Sequence, residues 1–485
     1  MKHNILKRSI AGLIAVSMLL PVGACGTEKE KAEKTKPVVE KMDEEKVYSY
    51  AIDAIGGNDV MPIAGFYGPY ELGHSYMGVS VPNYISDDIF SKLSDCGINL
   101  IQQSNLDAKE EPEGQVRILE LADKYGIGVY VRHSDIYGLH RDNLASLEEM
   151  SEIINLYANY PAFAGVDVID EPGTEYWWNT LPQGYISDYV ETVERLKKLD
   201  IGFGVNAITA GPAAEEMFTK YLTEFCSTLK PQYLCHTNYT FHDAPDGTND
   251  DDLHKDMSTA LWKLDKIRSY AEEYNIPFWR YVAAGGQMND DGTAYDSKSY
   301  YPNEGQTLWE VNTSLAYGVK GIAWFTLIEP LHFSYAKSEP YYDSERCGLI
   351  GVWGNKTQFW YYAQKANEQI EAVDHVLMNA VNKGVLVYGK NAKADTSGNE
   401  AVISGDSWRE LRDVDGSAMV GCFNYKGKSA FYVVNYEFQY RQKITLDLLD
   451  AYNLTVIQQA ETSRVKTDSL TLDMEPGEGV LIVVD

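Results

Sequence analysis

Ala164-Gly165-Val166-Asp167-Val168-Ile169-Asp170-Glu171-Pro172 is a short, β-branched apolar run that ends in two adjacent carboxylates and a proline. A run of this length with turn residues beyond it reads as a buried strand whose last residues reach a loop. The pattern recurs on both sides of it, and strands are expected near 63–67, 98–102, 128–132, 164–169, 202–206, 233–236, 278–283 and 321–326. Amphipathic stretches at 86–96, 115–125, 144–160, 186–199, 213–229, 253–274, 305–317 and 358–378 read as the helices that follow them. Short apolar strands alternating with helices favour parallel strands joined by crossover helices, and eight such units over about 320 residues predict a (β/α)8 barrel, an α/β fold.

Ser86-Asp87-Asp88 and Asn143 supply helix starts, while Gly97, Gly126 and Gly318 supply stops. From about Gly384 the period changes to two, with strands expected at 430–435, 443–448 and 479–484 and a turn at Tyr425-Lys426-Gly427-Lys428. The barrel is therefore placed at 59–382 and an all-β sandwich domain at 383–485.

The N-terminus has a different character. Lys2, Lys7 and Arg8 precede an apolar run over 10–20 that is too short for a permanent bilayer helix, which reads as a signal peptide over 1–24. Val22-Gly23-Ala24-Cys25 resembles the bacterial lipobox, which implies lipidation of Cys25 and a membrane anchor on the extracytoplasmic face. Residues 26–47 alternate Lys and Glu with almost no large apolar side chain, so 25–58 is expected to be a flexible tether. The formal charge of −29, nearer −32 once the basic leader is removed, excludes nucleic acid as a natural partner and disfavours a polyanion. Beyond Cys25 the cysteines are Cys96, Cys226, Cys235, Cys347 and Cys422, without CxxC spacing, which indicates no zinc site and leaves Cys226–Cys235 as the one pairing open. The acidic stretch 242–256 lacks the ligand spacing of calcium loops and reads as a solvated loop. No cofactor or metal is expected.

In such barrels the chemistry sits at the C-terminal ends of the strands. Period two sends Ala164, Val166 and Val168 one way and Asp167 and Glu171 the other, so Glu171 is expected to point to the barrel axis. Cleaving a glycosidic bond requires a carboxylic acid that protonates the leaving oxygen, and a carboxyl among aromatic rings is tuned for that task. The competing reading makes Asp170 and Glu171 a helix cap or ion-pair partners of Arg132 or Arg280. Gln103, Arg132, His133, Asn206, His236, Asn238 and Arg280 offer hydrogen bonds to sugar hydroxyls, and Trp177, Trp178, Tyr239 and Trp324 offer stacking faces.

The segments Val168-Ile169-Asp170-Glu171-Pro172 and Thr313-Ser314-Leu315-Ala316-Tyr317-Gly318-Val319-Lys320-Gly321-Ile322-Ala323-Trp324-Phe325 resemble those of barrel proteins related to β-galactosidases and other retaining glycosidases, over roughly residues 60–380. The resemblance implies a carbohydrate substrate and assigns the acid/base after strand four to Glu171. Two departures stand out. The nucleophile that the resemblance places at the end of strand seven has no counterpart in Pro277-Phe278-Trp279-Arg280-Tyr281-Val282-Ala283-Ala284-Gly285-Gly286-Gln287, and the Asn-Glu pair of strand four is Asp170-Glu171 here. Three readings follow: Glu329 after strand eight is the second carboxylate; Asp170-Glu171 resembles the pair of hexosaminidase-type barrels acting on N-acetylated sugars; or the cleft binds glycan without hydrolysis. The spaced-aspartate pattern of chitinase-like barrels is matched only at Asp167 and Glu171.

Overall fold

In the computed structural model, the expected strands are β1 (Ile63–Gly65), β2 (Leu100–Ile101), β3 (Gly128–Arg132), β4 (Phe163–Asp170), β5 (Phe203–Ala207), β6 (Leu234–Thr237), β7 (Phe278–Ala283) and β8 (Ile322–Phe325). Each runs parallel to its neighbours, and β8 pairs with β1, so the sheet closes into a barrel. The residues described are 39–70, 82–102, 104–138, 144–173, 185–207, 215–241, 250–285, 302–329, 348–389 and 395–485, together with two-residue strands at Ser75–Tyr76, Val79–Ser80, Tyr335–Ala336 and Glu339–Pro340.

The helices are α1 (Asp87–Asp95), α2 (Pro112–Tyr125), α3 (Leu147–Tyr157), α4 (Val190–Lys198), α5 (Glu215–Glu224), α6 (Asp250–Tyr274), α7 (Glu304–Ala316) and α8 (Gln358–Leu377). Helix α3 starts later than its apolar periodicity suggests. Its cap is Ser146, whose hydroxyl accepts from the Glu149 amide while Glu149 accepts from the Ser146 amide. Asn143 lies outside the described residues.

The barrel is filled from within by Tyr130, Tyr233, Trp279 and Tyr281 beside the small Ala64 and Ala323. Tyr233 and Trp279 stack with centroids 3.8 Å apart. A Cβ on Gly321 would come within 2.6 Å of the Trp279 ring, so the large ring on β7 requires a glycine just before β8. The N-terminal segment closes the base: Tyr50 stacks on Tyr233 at 5.5 Å, and Ile52 joins the inner core. Glu45 pairs with Lys383 at 3.0 Å. The end of the stretch expected as tether is thus part of the folded body, because Tyr50 and Ile52 bring apolar surface that the Lys/Glu run lacks. Cys226 packs in the helix layer and Cys235 inside the barrel, both as free thiols, so the bridge left open by the sequence is not formed.

The C-terminal domain is a seven-stranded antiparallel sheet of β9 (Ala380–Tyr388), β10 (Leu411–Asp415), β11 (Ala418–Tyr425), β12 (Lys428–Asn435), β13 (Gln442–Gln458), β14 (Glu461–Met474) and β15 (Gly479–Val484). Their order is β9-β11-β12-β15-β13-β10, with β14 on β13. Alternation sorts the side chains into two cores. Val420, Cys422, Phe431, Val433, Val480 and Ile482 line the domain's own core, whereas Met419, Phe423, Tyr432, Val434, Leu481 and Val483 join the core that contains α7 and α8.

Candidate active site

Strand β4 does not keep the simple alternation its sequence suggests. Its register with β3 shifts near Gly165, and its register with β5 shifts between Asp167 and Ile169. At the first irregularity Gly165 has φ 144°, and a Cβ there would lie 2.2 Å from the Gly202 carbonyl oxygen. Ala164 consequently packs against the inner core while Val166 faces the helices. At the second, Val168 and Ile169 both pack into the helix-side core, so Asp170, opposite Asn206, takes the inward position that plain alternation gives to its neighbours. Glu171 then adopts φ 47°, a left-handed conformation uncommon for a branched-free but large side chain, with its amide donating to the Asn206 carbonyl at 3.0 Å. Two carboxylates adjacent in sequence thereby enter the same mouth. Glu171 reaches the cleft as expected, by a bulge and a left-handed residue rather than by parity.

Both carboxyls are partly exposed and both are held above the usual carboxylate range. Burial is the main cause for each. For Asp170 it is opposed by a hydrogen bond from Asn206 Nδ2 at 2.9 Å and by the charge of Arg132. For Glu171 the Asp170 charge adds to the burial, against a hydrogen bond of 2.6 Å donated by Thr237 Oγ1 to Oε1. Two like charges at one strand end cannot both ionise freely, so the pair is biased toward an ionised Asp170 beside a protonated Glu171. A proton held this way suits general-acid chemistry.

Beneath the pair is a buried amide and phenol network. Gln102 Nε2 donates to Asn206 Oδ1 at 2.8 Å and Tyr281 Oη donates to Gln102 Oε1 at 2.8 Å. This network orients Asn206 and so aims its Nδ2 at Asp170. Above it, Tyr67, Tyr239 and Phe325 are partly exposed and contact one another, with Phe325 centroids 5.8 Å from Tyr67 and 5.6 Å from Tyr239. They form an aromatic face at the C-terminal strand ends, the end at which the carboxylates also lie, and both Asp170 and Tyr239 act electrostatically on Tyr281. Arg132 is partly exposed and lies over the Tyr137 ring at 4.0 Å.

The structure therefore gathers Asp170, Glu171, Arg132, Asn206 and Tyr239 of the residues the sequence nominates. Others sit elsewhere. Arg280 is fully buried on the helix side of β7, 2.7 Å from Glu310 of α7, because Trp279 and Tyr281 take the inward positions. Trp324 likewise faces α8, donating its indole N–H to Asn367 at 3.1 Å, and its neighbour Phe325 is the cleft aromatic. His236 is buried with Nδ1 2.7 Å from the Trp279 carbonyl, since Cys235 and Thr237 point inward. His133 is buried beside Asp135, and burial lowers its basicity. The Asn238 carbonyl accepts from Arg280 at 3.2 Å. Glu329 is wholly buried, with its charge acting on Tyr70, which is not among the groups around Glu171. Gln103, Trp177, Trp178 and Cys25 lie outside the described residues. Sequence reasoning missed Gln102, Thr237, Tyr281, Tyr67 and Phe325; on β2, β7 and β8 the nominated residue is one position away from the inward one. Among the described residues no three His, Cys, Asp or Glu side chains gather as metal ligands.

No family profile and no curated protein matches the chain. Solved structures of similar fold do. A catalytic mutant of a family 42 β-galactosidase from G. stearothermophilus superposes with a TM-score of 0.52 at 10% identity, covering 90% of this chain and 99% of that one. A family 51 arabinofuranosidase from Xanthomonas axonopodis pv. citri gives 0.47 at 10%, over 90% and 98% of the two chains. A family 5 glycoside hydrolase from Bacteroides vulgatus gives 0.45 at 12%, over 87% and 89%. The likeness to the family 42 β-galactosidase, over nearly the whole of both chains, is one of fold.

Proposed function

We propose that the chain is a glycoside hydrolase acting on oligo- or polysaccharide, exported and held at the cell surface through Cys25, with Glu171 as its general acid. The observation that supports this best is the placing of Glu171 beside Asp170 at the C-terminal mouth of the barrel that also carries an aromatic face, where burial and the Asp170 charge push the Glu171 carboxyl above the usual carboxylate range. A sugar stacked on that face would present its glycosidic oxygen to a proton donor. The position of Glu329 as second carboxylate is weakened by its complete burial, because a nucleophile or base has to reach the anomeric centre or its water. Asp170 is the carboxylate whose charge acts on the acid, and β7 ends at Ala283 and runs on into Ala284-Gly285 without a carboxylate. That favours the second reading, in which the substrate's own acetamido group attacks and Asp170 orients it, over a Glu329 nucleophile.

Aryl and methyl glycosides, N-acetylhexosaminides included, are assayed with wild type, Glu171→Gln, Asp170→Asn and Glu329→Gln. Loss of the acid is expected to slow methyl glycosides by about 10²–10⁴-fold and activated aryl glycosides less. Equal rates in wild type and Glu171→Gln remove Glu171 from the mechanism. Saturable oligosaccharide binding without turnover in the wild type identifies a binding protein instead. The anchor is tested by palmitate labelling, which Cys25→Ser is expected to abolish.

A further inference from the structure

Behind the cleft, on the helix side of the barrel, the chain buries an ion pair that the chemistry at Glu171 does not use directly. Arg280 on β7 and Glu310 on α7 are both withdrawn from solvent, with Nη2 and Oε1 2.7 Å apart. Nearly every remaining bond they make goes to the segment that follows β6. Arg280 Nη2 donates to the Asn238 carbonyl at 3.2 Å and to Thr240 Oγ1 at 2.8 Å. Glu310 Oε1 accepts from the Thr240 amide and the Thr240 hydroxyl, each at 3.1 Å. Arg280 Nη1 donates to Ser314 Oγ at 2.9 Å, which ties the guanidinium to the next turn of α7. This segment continues directly from Thr237, the last residue of β6, whose hydroxyl bonds Glu171, and it contains Tyr239 of the aromatic face.

We propose that the buried Arg280–Glu310 pair is a positioning device for the acid: it fixes residues 238–240 from behind, so that Thr237 delivers its hydroxyl to Glu171 in one geometry. A buried pair of this kind is weak evidence for stability, because the cost of desolvating two ions offsets most of their attraction. Most of its other bonds go to the backbone and side chain of one short segment, at Asn238 and Thr240, one and three residues beyond the one that touches Glu171. Arg280 and Glu310 act through Thr237, and neither touches the cleft. Among the described residues, the charged groups acting on the carboxylate pair are Arg132 from β3 on Asp170 and Asp170 itself on Glu171, while the pair in turn acts on the titratable Cys235 from β6 and Asp170 on Tyr281 from β7. Lys263 of α6 and His236 of β6 share the electrostatic surroundings of the Arg280 side. The hydroxyl of Thr237 favours the ionised carboxylate, so loosening it raises the pH at which Glu171 gives up its proton.

The inference rests on Glu171 being the acid, and the test reads its carboxyl directly rather than through turnover. The Glu171 titration is followed by carbon NMR of glutamate-labelled full chain, with Glu171→Gln assigning the signal. The double variant Arg280→Met/Glu310→Met removes both charges together and leaves no unpaired ion. Its Glu171 midpoint is expected to rise by about one pH unit, in the same direction as that of Thr237→Val, and adding Thr237→Val to it should shift the midpoint no further. Thr240→Val keeps the ion pair, removes the hydroxyl between its members, and is expected to give a smaller rise; it decides the matter where the double variant does not fold. An unmoved midpoint in the folded variant, even with a lowered Tm, overturns the proposal, as does a full further shift on adding Thr237→Val. Failure of the glycosidase reading shows separately, as a wild type without turnover whose carboxyl still titrates.

Discussion

Asp170 and Glu171 meet at one strand end with both carboxyls pushed above the usual range, and the sign of the Asp170 charge acting on Glu171 fixes what each substitution does. The Asp170 charge helps to hold Glu171 protonated above the usual carboxylate range. Activity carried by a general acid falls as pH rises through the pKa of that acid. Replacing Asp170 with Asn removes the charge, lowers the pKa of Glu171, and should move the alkaline limb of the kcat/KM profile to lower pH, whatever happens to its height. A limb that stays put or moves up would show that burial alone protonates Glu171. The aromatic residues make a second contrast at this scale. Phe325→Ala removes a ring from the cleft face and should raise KM about 5- to 30-fold, the equivalent of about 1–2 kcal/mol of ring burial. Trp324→Phe, on the opposite face of the same strand, loses the bond to Asn367 and should lower Tm while leaving KM unchanged. Equal effects on KM would contradict the assignment of faces.

At the scale of the strand, geometry at β4 depends on Gly165. No side chain fits there without displacing the backbone of Gly202, and φ 144° is a conformation that L residues avoid. Gly165→Ala should therefore destabilise by about 2–4 kcal/mol, read as a lower urea midpoint at unchanged slope. A loss under about 1 kcal/mol would mean that the strand relaxes and that the irregularity is not enforced. The elements themselves were legible in the sequence: β3 and β7 match their expected bounds, and the other strands differ by a few residues at their ends. The faces were legible less often. Apart from β4, barrel strands of two to six residues give period two little length to act on, and both faces of a barrel strand are buried, so hydrophobicity cannot distinguish inward from outward. Hence Arg280, Trp324 and His236 read as strand-end polar or aromatic candidates, although the neighbours of each point inward. The bulge at Val168 has no sequence signature, since Val168 and Ile169 look alike in either orientation. Glu171 was found because a carboxylate after strand four was sought by chemistry, and parity led to the same residue for a reason the strand does not obey.

The whole molecule couples these scales through α7. Every residue from Gly305 to Ala316 is buried, although a barrel helix ordinarily keeps one polar face in water. The β-domain covers that face: Asn312 donates to the Gly477 carbonyl at 2.8 Å and accepts from Tyr432 at 2.6 Å, while Trp309 meets Tyr436 at 5.8 Å. The same contact reaches the cleft. Phe241, four residues beyond Thr237, packs on Trp309 at 5.6 Å and on Phe438 of the β-domain at 5.4 Å. The C-terminal domain is thus one wall of the core that holds both Glu310 and the acid's supporting loop, and the barrel should not survive its removal. A chain ending at residue 379 would uncover the α7 face of Gly305, Trp309, Asn312 and Ala316 together with Phe241, at a cost of about 1.5–3 kcal/mol for each large apolar side chain that its remaining neighbours do not cover. Two or three such exposures are comparable to the whole stability of an ordinary domain. The truncated chain should be recovered aggregated or without a cooperative thermal transition, whereas the full chain melts cooperatively. A soluble, cooperatively melting barrel that keeps the Glu171 titration of the full chain would show that the domain is an appendage and that α7 is held by the barrel alone.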